Sequence, residues 1–297
     1  MRAVIKKGVR NGVTRYRCSA CGANSSSVRR PRHEELLDRY LFRKQTHANL
    51  AEDFGVSART LVRRLDTVSL PEKIHNPRPL VAVMDATYLG RKDGVLVARD
   101  PNKHENLHVH TIVSETKAEY RIARNDLERR GYTIQAVVLD GRTGIPAVFS
   151  DIPVQICQYH QQQVVRRRLT LRPESDAGKE LLALAFTLAK TDERTFSEAL
   201  EAWYLTYKDF LNEKTISEFS NGKKKWRYTH RRVRSAYASL FRNLPNLFVY
   251  QKYPDLHIPN TTNSLDGSFN ALKAHINVHR GLRPDRRVKL VRAYLLL

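Results

Sequence analysis

Two aspartates, Asp85 and Asp140, each follow an apolar run at a position where a carboxylate could take part in metal chemistry. Asp85 ends the run of residues 80–84, and Asp140 ends the run of residues 133–139. Aspartate is disfavoured inside a strand because its side chain competes with the backbone for hydrogen bonds. Each aspartate therefore either caps the loop that follows its strand or serves chemistry. Two neighbouring carboxylates also repel each other and are costly to bury without a cation.

A third carboxylate, Asp266, lies in a late segment with helical spacing. Two divalent cations held by such acids can activate a nucleophile and stabilise a leaving oxygen in phosphoryl transfer. Mg²⁺, or Mn²⁺ in its place, prefers this type of oxygen ligand. We therefore predict that Asp85, Asp140 and Asp266 are catalytic metal ligands in nuclease-type chemistry. The alternative is that the strand-end aspartates only cap loops.

The elements that must position these acids follow from the spacing of apolar residues. The predicted strands are residues 80–89, 94–99, 107–114, 133–140 and 154–157. The predicted helices are residues 116–130, 160–171, two segments within 176–211, one segment that begins at Thr261 or Thr262, and residues 285–297, while residues 143–149 are a short helix or a turn. This order predicts an α/β fold with a mixed sheet, in which the first strand is central and lies beside the fourth.

Residues 29–70 show the spacing of a helix-turn-helix DNA-binding domain. Apolar residues recur at helical spacing on both sides of Gly55, and residues 57–65 would form the recognition helix. The side chains expected to contact DNA are Ser57, which also caps this helix, Arg59, Thr60, Arg63 and Arg64. The alternative is an ordinary helical hairpin with solvated arginines.

A second basic segment, residues 221–234, contains seven Lys and Arg residues and no acid. Its aromatic side chains alternate with cations, which suits DNA that is single-stranded or distorted. The residues expected to contact DNA here are Lys223, Lys224, Lys225, Trp226, Arg227, Arg231 and Arg232. For Trp226, packing in the core is an open alternative.

The charge of the whole chain indicates a polyanionic partner. The 297 residues include 52 Lys and Arg against 30 Asp and Glu, a formal net charge of +22. Double-stranded DNA is the expected partner, since phosphate contacts by Lys and Arg supply most non-specific affinity. An anionic membrane is the alternative, but no long basic amphipathic helix is evident, and no membrane partner is expected.

Three cysteines are too few for a disulfide framework and predict a reducing compartment. Cys18 and Cys21, followed by a glycine, make residues 1–28 a partial zinc-ribbon-like segment. A closed zinc site needs four ligands. A second Cys-x-x-Cys pair is missing, so we do not expect structural zinc; an incomplete or intermolecular site is the alternative.

The remaining boundaries follow from composition. Residues 71–79 contain three prolines and form the predicted linker. Residues 80–172 are the first part of the predicted α/β core, and residues 173–257 an all-helical insertion. Residues 258–297 are then the last part of the core, which carries the third acid. Asp93, Asp100 and Asp151 are expected at the surface.

Five motifs, in this order along the chain, resemble transposases of bacterial insertion sequences of the mutator-like type. They are VMDATY, VVLDGRTG, ICQYH, WRYTHRRVRSAYASL and NTTNSLDG, and the resemblance covers roughly residues 80–285. The resemblance implies a ribonuclease H-like core that is interrupted by an all-α insertion. It also implies Mg²⁺-dependent cleavage at element ends, followed by transfer of the 3′-hydroxyl to target DNA.

By this resemblance, Asp85 and Asp140 match the first two catalytic acids, and Cys157 with His160 matches a supporting Cys-x-x-His. Asp266 stands where the family usually has glutamate, which is one methylene longer. The implied partners are terminal inverted repeats and target DNA, bound by at least a homodimer. The implied location is the bacterial cytoplasm, in association with the nucleoid.

Two further functions compete with transposition. A protein derived from a transposase could bind DNA through residues 57–65 without cutting it. A nuclease or resolvase could act on other substrates. From the residues alone, Cys157-x-x-His160 could be half of a metal site, but without partners it is interpreted as local packing and hydrogen bonding.

Overall fold

The computed structural model describes residues 4–10, 12–26, 32–68, 74–91, 93–218, 224–279 and 281–296. The chain divides into two units, one of residues 1–73 and 270–297 and the other of residues 74–269. The boundary at residue 73 falls within the predicted linker. Residues 270–297 group with the N-terminal part of the chain. In the described ranges, no helix is both long and apolar enough to cross a membrane.

The first unit begins with a small antiparallel sheet. Its strands are β1 (Val4–Arg10), β2 (Val13–Cys18) and β3 (Asn24–Ser26), in the order β1-β2-β3. Arg10 of β1 pairs with Val13 of β2, and residue 11 lies outside the described residues. Cys18 and Cys21 lie at the turn between β2 and β3, and both are free cysteines.

Three helices follow in the first unit. They are α1 (His33–Leu41), α2 (His47–Asp53) and α3 (Ala58–Thr67). Ser57 caps α3 by accepting a hydrogen bond from the backbone N–H of Thr60 at 3.2 Å. Gly55 has φ +58° in the turn between α2 and α3, a conformation that glycine adopts without strain. The predicted helix pair is thus present, while its role in DNA binding stays a prediction.

The second unit is built on a mixed sheet. Its strands are β4 (Pro79–Tyr88), β5 (Gly94–Asp100), β6 (Glu105–Ile112), β7 (Thr133–Leu139) and β8 (Val154–Ile156). Their order is β6-β5-β4-β7-β8. The pairs β4–β5 and β5–β6 are antiparallel, whereas β4–β7 and β7–β8 are parallel. The prediction of a mixed sheet with the first strand central, beside the fourth, is confirmed.

Helix α4 (Lys117–Arg129) packs on this sheet because its apolar residues recur at helical spacing. Tyr120, Ala123 and Leu127 are fully buried and belong to the same core cluster as Met84 and Leu96. Burying each large apolar side chain contributes about 1.5–3 kcal/mol. The strand that contains Asp85 and the strand that ends just before Asp140 are therefore part of a well-packed core. The short helix or turn predicted at 143–149 is a 3₁₀ helix, Pro146–Phe149.

The predicted all-α insertion is mostly helical. The helices from the end of the sheet onward are α5 (Gln158–Leu169), α6 (Asp176–Phe186), α7 (Glu193–Asn212), α8 (Arg231–Asn243) and α9 (Val249–Lys252). The all-α prediction is wrong between α7 and α8, where β9 (Lys214–Glu218) pairs antiparallel with β10 (Lys224–Tyr228). The β-branched and aromatic residues of these two segments favour strands, but the lysines among them are depleted in strands and mask this pattern in the sequence.

Trp226 lies on β10, opposite Ile216 on β9. Its side chain is 55% exposed, so the alternative that it packs in the core is wrong. The amino group of Lys214 lies 4.6 Å from the centre of the indole ring, a cation–π contact.

The last helices are α10 (Asn263–Val278) and α11 (Pro284–Leu296).

The prediction that Asp100 is a surface residue is wrong, since only 3% of it is exposed. Arg78 compensates this buried carboxylate with an ion pair of 2.7 Å, as a buried charge requires.

Candidate metal centre

Strands β4 and β7 bring Asp85 and Asp140 to neighbouring positions. Val83 pairs with Val138, and each aspartate lies two residues further along the chain, Asp85 within β4 and Asp140 just after β7. Asp85 is 6% exposed, and Asp140 is half-buried. Gly141 follows with φ +84°, and a Cβ there would meet the side chain of Ile156 at 2.7 Å. Only glycine therefore fits the turn that directs the chain away from Asp140.

Helices α5 and α10 bring further ligands to Asp85. Asp85, His160 and Asp266 each offer one ligand atom, and these atoms all lie within 4.8 Å of one another. Asp140 is not a member of this group, although its charge acts on Asp85. The sequence interpretation of His160 as a supporting residue therefore missed its place among the candidate ligands. The Cys-x-x-His spacing, with His160 in the first turn of α5, was the available signal.

The thiol of Cys157 connects the helix that carries His160 to the segment that leads to Asp266. Its Sγ accepts hydrogen bonds from the backbone N–H of His160 at 3.5 Å and from the backbone N–H of Thr262 at 3.3 Å. The Thr262 hydroxyl lies 3.5 Å from the same sulfur and 3.3 Å from Nδ1 of His160. Cys157 is fully buried, so these contacts are shielded from water.

Arg99 holds α10 against the edge of the sheet. Its Nη1 donates to Oδ1 of Asn106 on β6 at 2.8 Å and to the hydroxyl of Ser268 at 3.3 Å. Ser268 lies two residues after Asp266 on α10. A single guanidinium therefore contacts both the sheet and the turn of α10 that carries the third acid.

Burial and mutual charge interactions shift the pKa values of the acids and of the His160 imidazole in this centre. Burial raises the pKa of Asp85 to about 7, with smaller contributions from Asp140 and Asp266, while His160 opposes the shift. A hydrogen bond with Cys157 and the charges of the two acids raise the pKa of His160 to about 9. Burial would raise the pKa of Cys157, but the hydrogen bond and charge of His160 lower it overall. The positive charge of the His160 imidazolium thus offsets part of the negative charge of Asp85 and Asp266.

The residues of this centre fit a divalent cation. Oδ2 of Asp266 is buried and has no hydrogen-bond partner in the part of the chain that the structure describes. A buried carboxylate oxygen without a donor is costly, and a cation would satisfy it. Two carboxylates are the ligand type of Mg²⁺, and the addition of an imidazole also suits Mn²⁺.

We expect the affinity of this centre for Mn²⁺ to rise between about pH 6 and about pH 9. The pKa of Asp85 is about 7 and that of His160 is about 9, so a cation must displace a proton from Asp85 below about pH 7 and from His160 below about pH 9. The affinity should increase by up to about tenfold per pH unit for each proton displaced. Titration of Mn²⁺ at several pH values, followed by electron paramagnetic resonance, measures this slope. A flat profile would contradict the assignment of Asp85 as a ligand.

The described residues predicted to contact DNA lie on three elements, α3, β10 and α8. Ser57 caps α3, and Arg59, Thr60, Arg63 and Arg64 lie along it; Arg59 and Arg63 are exposed. Lys224, Lys225, Trp226 and Arg227 are exposed on β10, and Arg231 and Arg232 are exposed in the first turn of α8. Lys223 lies outside the described residues.

No family model and no curated protein matches this chain. Among solved structures, it is similar to the large terminase nuclease from thermophilic phage G20c, with 12% sequence identity over 55% of this chain and 82% of that chain. The TM-score of this match is 0.19, which supports no inference about fold or function.

Proposed function

We propose that this chain is a divalent-metal-dependent transposase with a ribonuclease H-like core, which cleaves DNA at element ends and joins the 3′-hydroxyl to target DNA. The observation that carries this proposal is the convergence of Asp85, His160 and Asp266 beside Asp140. These residues come from a central strand, its parallel neighbour and two helices far apart in sequence. The strand order β6-β5-β4-β7-β8 agrees with the core that the motif resemblance implies.

Bound divalent cations would supply Lewis-acid chemistry here, by activating a hydroxyl nucleophile and stabilising a leaving oxygen. Asp85 and Asp266 would hold the cation, and Asp140 would add negative charge from the adjacent strand end. His160 would complete the ligand set or balance its charge. The Cys157 thiol would hold His160 and the approach to Asp266 in register, a role that outer-shell groups often have.

The basic character of the chain supports DNA as the substrate. The formal net charge is +22, and the exposed arginines of α3 suit a recognition helix in the major groove. The ribbon of β9 and β10 adds exposed cations around Trp226, which suits contact with distorted DNA. Joining two element ends would require at least a homodimer.

The direct test uses the genomic DNA that flanks the gene, with its terminal inverted repeats. End-labelled duplexes with and without these repeats are incubated with the purified protein, Mg²⁺ and a target plasmid. Cleavage at the repeat ends with joining to the plasmid supports transposition. Indiscriminate cutting would instead indicate a nuclease or resolvase, and it would overturn the proposal.

A second candidate function is DNA binding without cleavage. Two observations favour it: Asp266 stands where the resembled family usually has glutamate, and Asp140 lies outside the closest ligand group. A shorter or displaced ligand weakens metal geometry and so slows the reaction. Specific binding to the repeats without cleavage, in Mg²⁺ and in Mn²⁺, would establish this second candidate.

We expect Arg59→Gln with Arg63→Gln to weaken DNA binding in a salt-dependent way. Both side chains are exposed on α3, and removing one phosphate-binding charge should reduce the slope of log affinity against log salt by about one. Fluorescence anisotropy over a salt series measures this slope. The matched control is Arg121→Gln with Arg194→Gln, two exposed arginines elsewhere. Equal slopes in the two double variants would contradict the role of α3.

A further inference from the structure

A fourth carboxylate, Glu115, lies close to the candidate metal centre, although it is not one of the candidate ligands. It precedes α4 and is 9% exposed. The hydroxyl of Tyr120 donates to Oε1 of Glu115 at 2.6 Å, and Nη1 of Arg142 donates to Oε2 at 3.0 Å. Burial raises the pKa of Glu115, the charge of Asp140 raises it further, and Arg142 opposes both effects.

Arg142 is held by two carboxylates beside the candidate metal centre, Asp140 at its backbone and Glu115 at its side chain. Its backbone N–H donates to Oδ1 of Asp140 at 2.8 Å, so the residue orients that carboxylate. Its side chain is 52% exposed, whereas that of Glu115 is 7% exposed. One guanidinium nitrogen of Arg142 is therefore fixed by a hydrogen bond, while about half of the side chain is exposed to solvent. Within the described residues, no other hydrogen bond of this guanidinium is present.

A purely structural ion pair would explain why Arg142 contacts Glu115, but it would not explain why the pair lies beside Asp140. A DNA phosphate that approaches Asp85 and Asp140 meets carboxylates of its own sign, so cations near the acids favour its approach. A guanidinium binds a phosphate through paired N–H groups, and a prior anchor reduces the entropy lost on binding. Tyr120 is fully buried and holds Glu115, which in turn holds Arg142.

We propose that Tyr120, Glu115 and Arg142 form a positioning array, which presents the Arg142 guanidinium to a DNA backbone phosphate beside the carboxylate centre. This inference rests on the proposed function, because it takes DNA as the substrate of that centre. Arg142 touches the phosphate. Glu115 and Tyr120 act only through Arg142 and are positioning residues.

The test is a double-mutant cycle on DNA affinity. Binding of a short fluorescent duplex is measured by anisotropy in Ca²⁺ and in EDTA, and the gain in affinity on adding Ca²⁺ is compared between variants. Arg142→Gln should reduce this gain by about tenfold, since it removes a charge-assisted contact. Arg142→Lys should retain part of it. The matched control, Arg121→Gln, changes an exposed arginine on α4 and should leave the gain unchanged.

The cycle also tests the positioning role of Glu115. Glu115→Gln should lower the gain less than Arg142→Gln does, and the double variant should be no worse than Arg142→Gln alone. Thermal melting verifies that each variant is folded. Equal gains in Arg142→Gln and Arg121→Gln, or additive effects of Glu115→Gln and Arg142→Gln, would overturn the inference. Cleavage by the wild-type protein in Mg²⁺ is measured separately, so its absence would reject the proposed function while the Ca²⁺ comparison still decides the role of Arg142.

Discussion

Replacing Asp85 with asparagine is expected to reduce Mg²⁺-dependent DNA cleavage by more than about 100-fold while leaving DNA affinity in EDTA unchanged. The substitution keeps the shape of the side chain but removes the charge that a cation requires. Asp85 is the candidate ligand on which the charges of His160, Asp140 and Asp266 all act. Cleavage rate, Mn²⁺ binding and duplex affinity are measured on the same preparation.

The same variant should be no less stable than the wild type above about pH 7, because the pKa of the buried Asp85 is raised to about 7. A carboxylate whose pKa is raised on folding favours the folded state at low pH, and this contribution is lost as the pH rises through the raised value. Asparagine carries no charge at any pH, so it avoids the cost of burying one. A melting temperature that stays level while cleavage disappears would show that the loss is chemical.

The matched control is Asp209→Asn, which makes the same chemical change at an exposed position on α7. It should cleave DNA and bind Mn²⁺ as the wild type does. If Asp85→Asn retained wild-type cleavage, the assignment of the metal centre would be wrong. If both variants lost activity equally, the loss would reflect net charge and not the site.

Replacing Cys157 with alanine should lower Mn²⁺ affinity by about 10–100-fold, although Cys157 is not itself a candidate ligand. Its sulfur accepts from the backbone N–H groups of His160 and Thr262, and alanine would leave these buried donors without an acceptor. Each such loss costs about 1–3 kcal/mol, so the melting temperature should also fall. Isothermal titration with Mn²⁺ and thermal melting measure the two effects.

Cys157→Ser separates the hydrogen-bonding role from simple packing. The serine oxygen still accepts hydrogen bonds, so this variant should retain more Mn²⁺ affinity than Cys157→Ala. Cys21→Ala, which changes an exposed cysteine, serves as the matched control and should bind Mn²⁺ normally. Unchanged Mn²⁺ affinity in Cys157→Ala would show that the thiol does not position His160.

The local spacing of apolar residues was sufficient to predict most strands and helices of the second unit. The apolar runs that end at Asp85 and Asp140 became β4 and β7, and the predicted helix at 116–130 became α4 (Lys117–Arg129). The pattern failed for β9 and β10, where lysines hid the strand signal. It also failed for Asp100, whose burial depends on an ion pair with Arg78, distant in the sequence.

The neighbouring positions of Asp85 and Asp140 on adjacent strands could be derived without coordinates, because strand length, alternation and the order of elements are properties of neighbouring residues. The expectation that Asp85 ends its strand is wrong, since β4 continues to Tyr88. The tertiary structure alone decided that His160 lies with Asp85 and Asp266, that one thiol contacts both the helix of His160 and the segment before Asp266, and that Glu115 holds Arg142 beside Asp140. These contacts join residues separated by tens of positions or more, and no local spacing encodes them. They form because packing of the helices on the sheet brings together polar groups that must then satisfy one another away from water.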